Sequence, residues 1–339
     1  MARFRLGKQT IVLEHPPTIL SAAAIGGKKE AEGPLSGHFD ETSRDTKFGQ
    51  DSWEKAERQM QTLALQAVLK KAGLQACDVD LIFAGDLLNQ CISSSFSLRD
   101  AGIPFFGLYG ACSTMAEGLA LASMTVSAGY AQRAMAMTSS HFASAERQYR
   151  FPLVYGGQRT PTAQWTVTGA GCALVGADGD GPFVTTVTAG KIVDWGIKDA
   201  NNMGAAMAPA AYQTIAQHLE DRKLQPQDYD LIVTGDLGSI GKRIVMDLFD
   251  RDGVPVQNVY DDCGVMIFDA KRQDVHAGGS GCGCSAAVFC GYLFRQLQQR
   301  RYRKILFCGS GALLSPTSTQ QGESIPSICH AVSVEVERS

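Results

Sequence analysis

No window of this chain offers about 18 or more uninterrupted apolar residues, the minimum for a membrane-spanning helix. The most apolar helical stretch, 115–137, is interrupted by Glu117, Gln132 and Arg133. A secretory leader is lacking too: the basic start runs into a short apolar segment, Thr10 to Leu13, that stops at Glu14-His15-Pro16-Pro17. A signal peptide needs a longer apolar region and a small-residue cleavage site. The sequence therefore predicts a soluble protein without signal peptide or transmembrane helix. There is no basic surplus either, since 31 Lys and Arg face 34 Asp and Glu for a net charge of −3, which argues against nucleic acid as a partner. The 10 cysteines are too sparse for a disulfide scaffold. Most lie in apolar runs such as Ala286 to Cys290, the pattern of free core thiols in a reducing compartment. His276, Cys282 and Cys284 follow Asp261-Asp262-Cys263, but Cys-x-Cys without a second spaced pair is a weak zinc signal. No calcium loop of the EF-hand kind is present. No metal site and no cofactor are expected.

What is abundant is glycine, 36 residues without a Gly-X-Y period, which points to tight turns and close backbone approach. The chain also repeats itself. Leu74-Gln-Ala-Cys-Asp78-Val-Asp80-Leu-Ile-Phe-Ala-Gly85-Asp86-Leu87 returns 150 residues later as Leu224-Gln-Pro-Gln-Asp228-Tyr-Asp230-Leu-Ile-Val-Thr-Gly235-Asp236-Leu237. Each copy follows a helical stretch, 53–72 or 203–222, and leads into a buried strand. Gly110-Ala-Cys112-Ser113 and Gly283-Cys284-Ser285 then each open an Ala-rich helix, followed by Tyr130 or Tyr302 and an apolar strand. Alternating strands and helices in matched halves predict a pseudo-symmetric α/β protein, with halves at 1–178 and 179–339 joined near Gly169 to Gly181. The polar segment 21–52 reads as a loop.

Cys112 stands apart from the other cysteines, because it opens a long amphipathic helix. A thiol there faces unsatisfied N–H groups and the positive end of the helix dipole, which should lower its pKa. The duplication, Gly110-Ala-Cys112-Ser113, Gly129-Tyr130 and Gly169-Ala-Gly-Cys-Ala-Leu-Val175 together resemble the thiolase superfamily, its ketoacyl synthase branch in particular. That resemblance implies two βαβαβαββ halves in a five-layered α-β-α-β-α arrangement, with Cys112 at the nucleophile position. It does not carry the chemistry with it. Condensing enzymes of the family need a second-half histidine and an asparagine or second histidine. The first place holds Gly235-Asp236, whose acid would repel a developing oxyanion, and Gly283 stands where the asparagine would be. His276-Ala-Gly-Gly-Ser-Gly and Cys308-Gly-Ser-Gly311 imitate thiolase loops only loosely. No catalytic residue is therefore expected; the alternative is an acyltransferase or condensing enzyme using Cys112 as thioester nucleophile.

Three further stretches, Glu146 to Thr166, His276 to Cys284 and Ser315 to Pro326, resemble a thiolase-like sporulation family of spore-forming Firmicutes. The resemblance implies binding of dipicolinic acid (pyridine-2,6-dicarboxylate), free or as its calcium chelate, for loading of the spore core and later germination. It also implies membrane proteins of the same transport system as partners, peripheral association with the spore inner membrane, and a homodimer paired near Ala134 to Thr138. A flat aromatic dianion calls for arginine forks, N–H donors and an apolar face. The expected ligand-binding residues are Cys112, Arg147, Arg150, Gln158, Arg159, Thr160 and His330, with the polar run 315–323, uncharged save Glu323, as a pocket lid.

Overall fold

The structure is a computed structural model that describes residues 4–149 and 159–337. Its plan grows out of the repeated motif. In the first copy the Asp78 carboxylate accepts the Gln75 N–H at 2.8 Å, closing a tight turn, and Asp80 accepts the N–H groups of Gln132 and Arg133 at 2.8 and 3.0 Å. In the second, Asp228 accepts Gln225 N–H at 2.7 Å, and Asp230 accepts Arg303 and Lys304 at 2.6 and 2.9 Å. The repeated Gln, Asp and Asp are thus turn locks, each tying the entry of one strand to the start of its neighbour.

The strands that follow take the same order twice. In the first half they are β1 (Thr18–Gly26), β2 (Leu81–Asp86), β3 (Phe105–Leu108), β4 (Arg133–Ser140) and β5 (Gly169–Gly176). The second half has β6 (Phe183–Thr188), β7 (Leu231–Thr234), β8 (Tyr260–Asp262), β9 (Lys304–Ala312) and β10 (Ser327–Glu335). The order across the sheet is β8-β7-β9-β10-β6-β1-β5-β4-β2-β3. Read outward from the centre, β1-β5-β4-β2-β3 and β6-β10-β9-β7-β8 are equivalent. In both, the two outer pairings are parallel and the inner ones antiparallel. At the centre of the sheet the halves meet where β1 pairs with β6, Phe183 against Thr18, and the first-half strand Thr10–Val12 also pairs with β6.

The helices expected over 53–72 and 203–222 are α1 (Trp53–Ala72) and α4 (Met203–Arg222). Ser52 caps α1 by accepting the Lys55 N–H, and Gly73 ends it at φ 66°, the left-handed conformation that glycine adopts without penalty. Met60, Ala64 and Val68, one turn apart, bury against one face of the first half-sheet. Between the half-sheets run α2 (Thr114–Ser127) and α6, which starts at Cys282–Ala287, passes through a π-helical turn at Val288–Leu293 and ends at Phe294–Gln298. Met115 and Leu119 of the one and Val288, Phe289 and Leu293 of the other share the central core. Met207, Ala211 and Ile215 of α4, with Val245 and Phe249 of α5 (Gly238–Arg251), form the outer core of the second half. The result is an α-β-α-β-α stack in the thiolase arrangement.

Two expectations fail. The segment 21–52 opens with most of β1: Ser21 to Gly26 is buried on both faces, so it lacks the alternation that marks a half-exposed strand. The strand Ala134 to Thr138 cannot pair two copies, because β4 already bonds to β2 on one side and β5 on the other; the end strands of the sheet are β8 and β3, and Phe106 of β3 is exposed. Among the described residues no helix is long and apolar enough to cross a membrane.

Candidate functional site

The chain leaves β3 at Leu108 and reaches α2 through a single 3-10 turn, Ala111–Ser113. Ala111 is held at φ 52°, a strained conformation for a residue with a side chain. Two hydroxyls fasten the turn: Ser113 Oγ donates to Gly110 O and Thr114 Oγ1 to Ala111 O, both at 2.7 Å. This presents Cys112 to a cavity of about 640 Å3.

Each half supplies one wall from the segment after its fourth strand. From the first half, α3 (Phe142–Tyr149) turns Ala145, Gln148 and Tyr149 inward, the one-turn spacing of a single helical face. From the second, Leu313 to Thr317 lead into α7 (Pro316–Gln320), so the expected lid does border the cavity. Met203 and Met207 of α4 and Ile192 add apolar surface. The polar side is a linked set of phenols and amides. Tyr109 Oη lies 3.0 Å from Tyr149 Oη and donates to Asn89 Oδ1 at 3.1 Å; Gln148 Nε2 donates to the same oxygen at 3.2 Å. Tyr149 Oη also reaches Leu87 O. None of the described lining residues carries a charge.

Behind Cys112 lies Asp236, fully buried, whose Oδ2 accepts the Gly281 N–H at 2.8 Å and whose carboxyl faces the Cys112 thiol and Ser310. Burial, opposed by those hydrogen bonds and assisted by the nearby Asp262, pushes Asp236 up to about 7. The expected fall in the Cys112 pKa is reversed: burial first, then the Asp236 carboxylate, drive it well above the ordinary thiol value. A helix N-terminus contributes about 0.3–1 kcal/mol in exposed settings, which desolvation and a facing carboxylate outweigh. At the asparagine position, a Cβ on Gly283 would lie 2.6 Å from Ser140 Oγ and 2.5 Å from Gly169 O, so no side chain fits there.

Of the residues expected to bind ligand, the cavity wall includes Cys112 alone among those described. Arg147 sits on the opposite face of α3 from Tyr149, exposed, paired with Glu54 and 5.5 Å above the Trp53 ring. Arg159 stacks 4.8 Å over Trp165 and donates to Asp274 O at 3.0 Å. Thr160 is exposed, and its carbonyl accepts His276 Nδ1–H at 2.6 Å. His330 accepts the Gly190 N–H at 3.2 Å, and burial lowers its pKa. Arg150 and Gln158 lie outside the described residues. The expectation of one arginine-lined pocket is thereby corrected: Arg147 and Arg159 are committed to other partners. Of Asn89, Tyr109, Gln148, Tyr149 and Asp236, sequence reasoning placed only Asp236 at the site, as the residue standing in for a catalytic histidine, and it counted none of the five as ligand-binding. The spacing Ala145, Gln148, Tyr149 and the duplicated Gly-Asp were signals for three of them; nothing marked Asn89 and Tyr109.

Residues 7–335 match the model of the family described as stage V sporulation protein AD. The stage V sporulation protein AD of Bacillus subtilis (strain 168) is 47% identical over 329 residues, 97% of each chain. Among solved structures, 3-oxoacyl-[acyl-carrier-protein] synthase III of Aquifex aeolicus VF5 aligns with TM-score 0.57 at 14% identity, covering 94% of this chain and 99% of that one. OleA of Xanthomonas campestris aligns with TM-score 0.61 at 13% identity, covering 96% and 99%. These likenesses speak to the fold.

Proposed function

The chain belongs to the stage V sporulation protein AD family, and from that premise we propose that it binds dipicolinic acid without chemical change, for delivery into the developing spore. Its role is in sporulation; the ligand is our reading. The observation that carries it is the cavity itself: a site at the position of an acyl-thioester pocket whose thiol is held protonated, with Gly283 and Asp236 where condensing chemistry needs asparagine and histidine. The uncharged wall favours the calcium chelate, whose net charge is zero, over the free dianion, because burying an unpaired charge is costly. The pyridine ring would lie against Leu87 and the methionines, with the carboxylate edges toward Tyr109 and Tyr149 and the N–H groups at the start of α2. Membrane proteins of the same transport system would be the partners, at the spore inner membrane. A homodimer would join through the open edge of β3.

Titration calorimetry with dipicolinate in calcium, in chelator and against pyridine-2,4-dicarboxylate tests this. Binding of the 2,6-isomer, strengthened by calcium, is expected; equal heats from both isomers would sink specific recognition. The place of Cys112 in the cavity also favours a second reading, acyl transfer. Incubation with acyl-CoA thioesters and intact-mass measurement separates the two, since only an enzyme would give an adduct that Cys112→Ala abolishes.

A further inference from the structure

We infer that a second crevice, which shares no lining residue with the first cavity, binds an oxyanion of the phosphate class through Lys71, Arg295, Gln298 and Gln299. It encloses about 440 Å3 between α1, β1 and the end of α6, a size that suits a small ligand. The sheet itself makes the opening. β1 pairs with β6 at Thr18 alone, and no other described strand covers that edge of β1 before Ile25. Lys71 Nζ reaches over the gap to donate to Ala22 O at 2.7 Å, and Asp40 Oδ2 accepts the Ala24 N–H at 2.9 Å. Leu20 to Ala22 are left as one wall of the crevice.

Its charges do not balance. Lys71 and Arg295 are the charged lining residues, and none of the lining is acidic. The acid beside them, Asp40, holds Lys71 at 2.6 Å and stands 3.5 Å from Arg295 through the same Oδ1. One carboxylate thus serves two cations and leaves one positive charge over. The other contact of Arg295 is from Nη1 to Gly37 O at 3.3 Å, so a fork with five N–H donors is engaged only at long distances. Arg295, Gln298 and Gln299 are three and four residues apart, hence on one face of the helix end. Neither glutamine side chain has a hydrogen-bond partner among the described residues. A guanidinium fork, an ammonium and two amides converging on one opening are the donors that a phosphate group calls for.

The inference does not rest on the dipicolinate reading. Equilibrium dialysis of the full chain with radiolabelled inorganic phosphate, at fixed ionic strength in chloride, tests it. The unmodified protein should bind phosphate. Arg295→Gln, which keeps the Lys71–Asp40 pair, should weaken binding about tenfold, while Asp40→Asn, which removes the competing charge, should strengthen it. Arg243→Gln, at an exposed cation of α5, should change nothing. No phosphate bound by the unmodified protein would overturn the proposal; so would an Arg295→Gln variant that binds as well, or a folded Asp40→Asn variant that binds less. Sedimentation with phosphatidylglycerol vesicles, against phosphatidylcholine alone, identifies the source of the phosphate. Retention that Arg295→Gln abolishes supports a lipid headgroup in the crevice, and phosphate binding without retention supports a soluble phosphate ester.

Discussion

Asp86 and Asp236 stand at the same place in two copies of one motif, each after a buried strand and a glycine, yet they hold different partners. Asp86 closes its own turn: Oδ1 accepts the Leu88 N–H at 3.0 Å and Oδ2 accepts Ser94 N–H and Oγ–H at 2.8 and 2.7 Å. Asp236 is denied that turn by Asp262 and accepts the Gly281 N–H instead, behind the cavity wall. The reason is one position on the neighbouring strand. Ala84 pairs with Gly107 in the first half, and its counterpart Thr234 pairs with Asp262 in the second. A glycine in one copy and an acid in the other re-aims a repeated aspartate, and the half that gains the acid gains a buried carboxyl behind the cavity wall.

The largest test of that difference is Asp262→Ala. Asp262 accepts from Thr234 Oγ1 at 2.7 Å and from the N–H groups of Leu237, Gly238 and Gly264 at 2.8, 2.9 and 2.9 Å, all buried. Thr234 Oγ1 has other partners in Tyr260 Oη and Asp261 O, so stranding the three backbone N–H groups should cost about 3–5 kcal/mol, at ~1–3 kcal/mol for each group without compensation. Asp86→Ala strands fewer donors and relieves a neighbouring buried acid, so roughly 1–2 kcal/mol is expected. Urea unfolding of both variants reads the gap; equal losses would mean the two acids do the same structural job.

Next in size is the pH dependence of stability. Burial raises Glu57 to about 8, with the Asp86 carboxylate adding to it, and raises Asp236 to about 7 and Asp262 to about 6. Unfolded, such groups titrate near ~4. The native state therefore binds more protons across this window, and stability falls as pH rises from about 4 through 8. Glu57 is fully buried and held by Ser139 and Ser144 hydroxyls at 3.0 and 2.8 Å. Glu57→Gln keeps the shape and removes the charge, so it should flatten the fall by about 2 kcal/mol. Urea midpoints at pH 5.5 and 8.5 decide it: a larger flattening by Asp236→Asn would place the costlier acid in the second half.

How far the residues announce all this depends on whether the cause is local. The turn locks Asp78, Asp80, Asp228 and Asp230 are local to a repeated motif, so the duplication and the helices before it are legible. So is Cys112, because a strand-to-helix turn is written in adjacent residues. Ser21 to Gly26 is not, since a strand buried on both faces has no alternation to betray it. Nor is the direction of Asp236, which is set by Asp262 on another strand. The arginines misled for a similar reason: their number suggested a carboxylate site, while helix phase and distant acids decide where each one goes.

The finest contrast lies within α3. Tyr149 and Arg147 are two residues apart, so they point about 200° apart around the helix axis. Tyr149 shares a hydrogen bond with Tyr109 on the cavity wall, whereas Arg147 is tied to Glu54 over Trp53. Tyr149→Phe removes a hydroxyl from the cavity wall and should weaken dipicolinate about fivefold, or roughly 1 kcal/mol, with little change in fold. Arg147→Ala should leave that affinity unchanged and cost less than about 1 kcal/mol of stability, the usual worth of an exposed pair. Calorimetry on the two variants reads both. An arginine variant that loses binding while the tyrosine variant keeps it would move the ligand to the far face of α3, away from Cys112 and the acid behind it.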